Sequence, residues 1–369
     1  MKKLSIFLFF FISIVCFGQN DSEPNLDTET FYQPKLLWDL KLKPIKKVNF
    51  YQQGKLHFIQ EFSKEGKLIK TTSINKDFIG FTEWKYKGDL IISYKNGTKY
   101  NDPTSEKSKN NRIQIFKINF DDSGKIVDAE GGQISSDSIY TKLGTTKLDQ
   151  QGRFLKFEDN NGKSSTNYSY HKGNLILKEN VYVWDNKKDK SIRLYTYNKN
   201  NQVVFGESVT EKYFDGVLIE KKTTSTTTIK YRGKLPIKKV FKNDATTKER
   251  TYDYDSNGNL IYFTEKEVFN NDNSLKYEKW NKWEYEDNLL VYSETYDGSS
   301  THRDGKESNA VYEYENRLLK KITGTFNVEK DRKCETEFFY NEFKHLVKKT
   351  FTILDIDSHS EEEYEIEYY

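Results

Sequence analysis

A short string recurs along most of the chain and constrains its fold more than any other feature. It consists of an aromatic residue, a polar turn of two to five residues containing Gly or Asn, and then Leu, Ile or Val. The clearest copies are residues 254–260 (YDSNGNL), 120–126 (FDDSGKI) and 62–68 (FSKEGKL), and shorter copies are residues 214–217, 231–235 and 86–90. Further copies begin at Tyr51, Leu148, Tyr170, Tyr197, Tyr285, Tyr314 and Tyr340. A tight hairpin turn needs one or two residues at positive φ, which Gly and Asn adopt readily, so the string predicts β-hairpins.

The segments beside these turns alternate with a period of two. Residues 283–286 (WEYE) and 312–315 (YEYE) place aromatic side chains on one face and carboxylates on the other. A hairpin with one apolar face cannot bury that face alone and must associate with its neighbours. The pattern therefore predicts an all-β fold of stacked antiparallel β-hairpin repeats that form an open-ended spiral sheet. A β-propeller is the alternative, although the units do not group into even four-stranded blades.

The best copy of the string also carries a family resemblance. Residues 252–261 (YDYDSNGNLI), with weaker copies across most of residues 45–369, resemble the YD repeat of the Rhs/teneurin-type family. The resemblance implies spiralling antiparallel sheets of tyrosine-anchored hairpins on secreted or extracytoplasmic proteins. In large members of that family the sheet forms a shell around a C-terminal toxin. This chain has too few units to enclose a cargo and ends inside the repeat, so we expect the fold without a toxin domain.

The N-terminal residues predict export. Lys2 and Lys3 precede an apolar run over residues 4–15, which is too short to span a bilayer. Cys16 and Gly18 fit the small-residue pattern of a cleavage site, so residues 1–18 are predicted to be a signal peptide. Lipidation at Cys16 is the alternative. We expect the protein in the periplasm, on the cell surface or outside the cell, with no transmembrane segment after cleavage.

The charge balance and the cysteines exclude some classes of protein. Residues 1–18 hold two of the 59 Lys+Arg and none of the 56 Asp+Glu, so the mature net charge is 57 − 56 = +1. A nucleic-acid binder usually has a strong basic bias, so we expect no nucleic-acid partner. Cys334 is the one cysteine after residue 18, which predicts a mature chain without an intramolecular disulfide. Residues 19–44 are expected to be an N-terminal tail, and residues 45–369 the tyrosine-rich β-hairpin repeat domain.

No group of residues in the sequence predicts a catalytic, cofactor-binding or metal-binding site. Residues 253–258 match the opening of a calcium loop, but Thr264 stands where the bidentate glutamate should be, and a hairpin turn explains the same residues. The acidic run 361–363 fits a solvated sheet face better than the paired carboxylates of glycoside hydrolysis. The histidines lack zinc-ligand spacing, and two of them, His171 and His345, are expected to be solvated beside turns. All five are His57, His171, His302, His345 and His359.

The aromatic residues suggest one binding function. The chain has 26 tyrosines and five tryptophans, which favour either carbohydrate stacking or the packing of a thin sheet. Trp280 and Trp283 are three residues apart, so a regular strand would place them on opposite faces. We expect a non-enzymatic binding or scaffold module for a protein or a polysaccharide in the cell envelope. The alternatives are an accessory or immunity protein of a polymorphic toxin system, and a secreted polysaccharide-processing enzyme.

Overall fold

The computed structural model describes residues 43–102, 104, 113–134, 140–298, 306–327, 331–356 and 358–369. These residues form 24 β-strands and one short 3-10 turn at Leu354–Ile356, without an α-helix among them. The predicted all-β class is confirmed. The predicted signal peptide, Cys16 and residues 19–42 of the predicted tail lie outside the described residues.

The strands follow the repeat along the chain. In chain order they are β1 (Ile45–Gln52), β2 (Lys55–Phe62), β3 (Leu68–Ile74), β4 (Phe78–Lys87), β5 (Leu90–Tyr100), β6 (Ile113–Phe120), β7 (Ile126–Ile134), β8 (Tyr140–Leu148), β9 (Phe154–Asp159), β10 (Ser164–His171), β11 (Asn174–Trp184), β12 (Lys187–Tyr197), β13 (Val203–Phe214), β14 (Val217–Arg232), β15 (Leu235–Asn243), β16 (Thr246–Tyr254), β17 (Leu260–Phe269), β18 (Leu275–Glu286), β19 (Leu289–Asp297), β20 (Lys306–Glu315), β21 (Leu318–Asn327), β22 (Asp331–Tyr340), β23 (Leu346–Ile353) and β24 (Ser358–Tyr368).

The chain divides into two compact units. Among the described residues, unit 1 takes 86–94, 113–134 and 140–228, and unit 2 takes the rest. In unit 1 each strand from β6 to β14 pairs antiparallel with the next. In unit 2 the same pattern runs from β15 to β24, and β1 continues it through β2 and β3 to β4. The hairpins therefore join edge to edge through backbone hydrogen bonds.

The last strand pairs with the first, so the predicted open-ended sheet is wrong. β24 runs antiparallel to β1, from Ile45 opposite Tyr368 to Gln52 opposite Glu362. The pairing is stabilised by a cluster in which Tyr364, Ile366 and Tyr368 pack against buried residues of β1 and β2. Neither β1 nor β24 is left as an edge strand, which a sheet must otherwise protect from pairing with another chain. The alternative β-propeller is also wrong, because pairing in unit 2 runs continuously and does not break into four-stranded blades.

The repeated turns share one hydrogen-bond pattern. In the best copy, Oδ1 of Asp255 accepts the backbone N–H groups of Asn257 and Asn259, at 2.9 and 2.8 Å. Gly258 takes a φ of 86° and donates its N–H to the carbonyl of Asp255. Five other turns place the residue with φ > 0 three positions after the capping side chain, which belongs to Ser63, Asp121, Asp149, Asn198 or Asn341. The hairpin interpretation of the string is confirmed.

Small aromatic clusters at the turn ends hold neighbouring hairpins together. The Tyr197 hydroxyl donates to the carbonyl of Leu175 at 2.7 Å, and the Tyr340 hydroxyl donates to that of Leu319 at 2.9 Å. Burial raises the pKa of Tyr197 to about 12, so this hydroxyl keeps its proton as a donor. In unit 2 the largest such cluster is formed by Tyr252, Phe263, Trp283 and Leu290. Tyr197 and Tyr340 thus each link the end of their own strand to the start of the strand before it.

A buried ionic network lies on the same face of β16, β17 and β18 as that cluster, farther along the strands. Glu265, whose side chain is 1% exposed, accepts hydrogen bonds from Arg250 and from the Tyr277 hydroxyl. Glu267 is bonded to Lys276 at 2.9 Å and lies 3.4 Å from Lys248. Burial alone would raise the pKa of each carboxyl group. The hydrogen-bond donors and cations around each carboxylate lower the pKa by more than burial raises it. They lower the pKa of Glu265 and bring that of Glu267 to about 2, so both side chains are ionised at neutral pH.

The prediction that His345 is solvated is wrong. The residue follows a turn, but its side chain is fully buried. Its Nδ1 is 2.8 Å from the Tyr368 hydroxyl, and the two rings stack with their centroids 5.6 Å apart. Tyr368 belongs to β24, so the return of the last strand covers this histidine. His171, by contrast, is exposed at the end of β10, as predicted.

Candidate functional site

Three aromatic side chains form a row across neighbouring strands on one face of unit 2. Tyr262 lies on β17, Trp280 on β18 and Tyr296 on β19, and we call these three residues the platform. The strand alternation places them opposite the buried cluster, because Phe263 and Trp283 point to the other face. The predicted opposite orientation of Trp280 and Trp283 is confirmed: Trp283 is 7% exposed, whereas Trp280 is only half-buried.

The three rings of the platform are close together and inclined to one another. The rings of Trp280 and Tyr296 stack with their centroids 5.9 Å apart and their planes inclined by 18°. The rings of Tyr262 and Trp280 are 6.4 Å apart and inclined by 34°. Trp280 and Tyr296 are directly opposite each other in the register of β18 and β19. The arrangement presents a row of aromatic surface that is accessible to solvent, with Tyr262 37% exposed.

Charged side chains border the platform on the same face. Lys282 follows Trp280 by two residues, and its Nζ is 2.7 Å from Oε1 of Glu284. Glu294 lies opposite Lys282 in the register of β18 and β19. Ion pairs and hydroxyl groups beside an aromatic surface suit a ligand with both an apolar face and hydroxyl groups. The platform and its border offer both kinds of contact.

A second exposed feature lies at the ends of two hairpins in unit 1, and we call it the tip cluster. The turns of the two hairpins are adjacent, since the Asp215 N–H donates to the carbonyl of Asn186 at 2.9 Å. The strand register aligns Phe214 with Val217 across the second hairpin. The tip cluster consists of Tyr182, Val183, Trp184, Phe214, Val217, Leu218 and Ile219, which are 37–65% exposed. The register places Trp184, Phe214 and Val217 on one face, and Val183 and Leu218 on the other. Exposed apolar side chains that share a face are typical of an interaction surface.

The acidic residues of β24 and the pair Glu265 and Glu267 on β17 lie beside cations. Glu361 and Glu363 each lie near Lys348, at 2.7 and 3.8 Å, on one face of β24. Glu362 lies on the other face, 3.3 Å from Lys349. Sequence reasoning did not single out Glu265 and Glu267, which the structure brings together, because acidic residues alternate along many strands. Their lowered pKa values are opposite to the raised pKa that a glycosidase acid needs, so the pair gives no support to an enzyme.

The other residues discussed from the sequence occupy structural positions. Cys334 is buried in β22, and burial raises the pKa of its thiol, which disfavours a reactive thiolate. The Asp255 carboxylate caps its own hairpin turn. Within the described ranges, no three His, Cys, Asp or Glu side chains are placed to hold a metal ion. In the same part of the chain, no helix has the length and hydrophobicity needed to cross a membrane. Trp38 and His302 lie outside the described residues.

No protein-family model and no curated protein matches the chain. Among solved structures it is similar to the crystal structure of TcdB2-TccC3-TEV, with 11% sequence identity over 83% of this chain and 21% of that chain, and a TM-score of 0.25. The chain thus spans about a fifth of the length of that protein. It is also similar to a porin-like protein from Bacteroides uniformis, with 13% identity over 52% of this chain and 95% of that chain, and a TM-score of 0.23. TM-scores this low assign neither a family nor a function, and the YD-repeat resemblance stays a prediction.

Proposed function

We propose that this protein is an exported, non-enzymatic binding module whose platform on β17, β18 and β19 holds a polysaccharide of the cell envelope. The observation that carries the proposal is the row of Tyr262, Trp280 and Tyr296, partly exposed on three adjacent strands. A sugar ring has an apolar C–H face that stacks on aromatic rings and hydroxyl groups that bond to polar neighbours. Phe263 of β17 and Trp283 of β18 are buried on the opposite face, so the three platform residues are not part of the buried cluster. Export rests on the sequence of residues 1–18.

Replacing Trp280 by alanine is expected to weaken polysaccharide binding by about 2 kcal/mol, or ~30-fold, because a central tryptophan supplies much of a contact surface. The measurement is the retardation of purified residues 19–369 in native gels that contain a polysaccharide, quantified over a range of polymer concentrations. A free oligosaccharide of the retarding polymer should abolish the effect.

The matched control is Trp184→Ala. Trp184 is 40% exposed and belongs to unit 1. Its substitution therefore removes an exposed tryptophan side chain that is not part of the platform. If both substitutions reduced the retardation equally, or if neither reduced it, the assignment of the platform would be contradicted. No retardation of the unsubstituted protein on any polymer would contradict polysaccharide binding itself.

A second candidate function is docking to a protein partner, which the tip cluster favours. Val217 and Ile219 are 65% and 64% exposed, and the two turns beside them carry Asp185 and Asp215. Carboxylates at both turns disfavour insertion into lipid. Lys187 lies between Trp184 and Phe214 in the register, so the matching partner is a protein with an apolar groove bordered by charges of both signs. A toxin as that partner would support the accessory or immunity role.

A photo-reactive residue at Phe214, which lies opposite Val217 in the register, is expected to form one discrete protein adduct in cells if the tip cluster docks a partner. Adding Val217→Asp and Ile219→Asp should abolish the adduct, because two carboxylates would have to be buried against apolar groups. Trp280→Ala is the control and should leave the adduct unchanged. Diffuse labelling that is insensitive to the two aspartates would contradict docking at this surface.

A further inference from the structure

The charges that border the platform are strongly biased in sign. The two lysines closest to it on this face are Lys266 on β17 and Lys282 on β18. Five carboxylates share the face with them, and all five lie on β16, β18 or β19: Glu249, Asp253, Glu278, Glu284 and Glu294. From β16 to β19, five carboxylates therefore share this face with two lysines, and Lys238 of β15 adds a third cation opposite Thr251.

Each of the two lysines is flanked by two of these carboxylates. The strand register places Lys266 between Glu249 of β16 and Glu278 of β18. Glu249 also contacts Lys238 of the next strand at 2.6 Å. Neighbours of opposite charge at this spacing neutralise a lysine as a binding group for an outside anion.

Lys282, beside Trp280, is also flanked by two carboxylates. Its Nζ is 2.7 Å from Glu284, and Glu294 lies opposite it on β19. Both carboxylates raise the pKa of Lys282, through the hydrogen bond with Glu284 first and the charge of Glu294 after it. On the other side of the platform, Asp253 lies opposite Tyr262 in the register. An anionic ligand on the rings would thus meet carboxylates on both sides.

We infer that the polysaccharide held by the platform is uncharged, and that the carboxylates beside Lys282 exclude polymers rich in uronate or sulfate groups. The inference rests on the proposed function and adds the class of ligand to it. Stacking on the rings needs no charge, so binding of a neutral polymer is expected to be insensitive to salt. Repulsion by the carboxylates acts on an anionic polymer alone.

The test compares neutral glucan, mannan and xylan gels with a polygalacturonate gel at low ionic strength. We expect at least one neutral polymer to retard the protein and polygalacturonate to leave it unretarded. The double substitution Glu284→Gln and Glu294→Gln keeps the shape of the border and releases Lys282. We expect this variant to gain retardation by polygalacturonate and to lose that gain at high salt.

The control is a double substitution with the same change in net charge, Glu220→Gln and Glu315→Gln. Each of these glutamates pairs with one lysine away from the platform, at 2.7 and 3.0 Å, and is about half exposed or more. An equal gain in this control would overturn the inference, since net charge would then explain it. Stronger retardation of the unsubstituted protein by polygalacturonate than by any neutral polymer would also overturn it. If Trp280→Ala abolished that retardation by polygalacturonate, the proposed binding of a polysaccharide to the platform would still hold. Retardation by no polymer would instead refute the proposed function.

Discussion

Replacing Glu265 by alanine is expected to lower the free energy of unfolding by about 3–5 kcal/mol, because it leaves buried cations without their partner. The Glu265 side chain is 1% exposed and holds Arg250, whose side chain is 13% exposed, together with the Tyr277 hydroxyl. Lys279 and Lys248 lie 3.4 and 3.6 Å from the same carboxylate. Removing it creates a buried excess of positive charge that the neighbouring Glu267 cannot balance.

The measurement is urea unfolding, followed by far-UV circular dichroism, with the midpoint and the slope both recorded. The matched control is Glu284→Ala on β18, whose carboxylate also pairs with a lysine at 2.7 Å but is 51% exposed. An exposed pair of this kind contributes about 0–1 kcal/mol, so the control should unfold close to the unsubstituted protein. Equal losses in the two variants would contradict the role given to the buried network.

Replacing Phe338 by alanine is expected to cost about 3–5 kcal/mol of unfolding free energy, the usual range for removing a buried phenylalanine. Phe338 is 5% exposed and packs in unit 2 with Leu319 and Leu346, which belong to two neighbouring hairpins. The cavity left by the ring would remove contacts that join these hairpins. The loss should appear as a lower urea midpoint with an unchanged slope.

The next residue supplies the control. Phe339 is 43% exposed, because it lies on the opposite face of β22, so Phe339→Ala should change the free energy of unfolding by less than about 1 kcal/mol. The two variants have the same composition and differ by one position in the same strand. Comparable losses would mean that β22 does not have one buried and one exposed face.

Part of the candidate site could be predicted from the sequence, and part could not. The three-residue separation of Trp280 and Trp283 was enough to place them on opposite faces. It was not enough to say which of the two is exposed, because both faces of β18 carry aromatic and charged residues. The neighbours Tyr262 and Tyr296 come from other strands. The register places Tyr296 directly opposite Trp280, and it places Tyr262 opposite Lys282, two residues along β18 from Trp280.

The hairpins could be predicted from the sequence alone, since each turn depends on residues a few positions apart. Asp255 and Gly258, for example, meet their turn partners within five residues, and the alternation beside them follows from strand geometry. The pairing of β24 with β1, the burial of His345 under Tyr368 and the ionic network around Glu265 became visible in the folded chain alone. These contacts join residues from separate strands. The physical reason is that period-two alternation specifies two faces for every strand but not which strand will lie beside it.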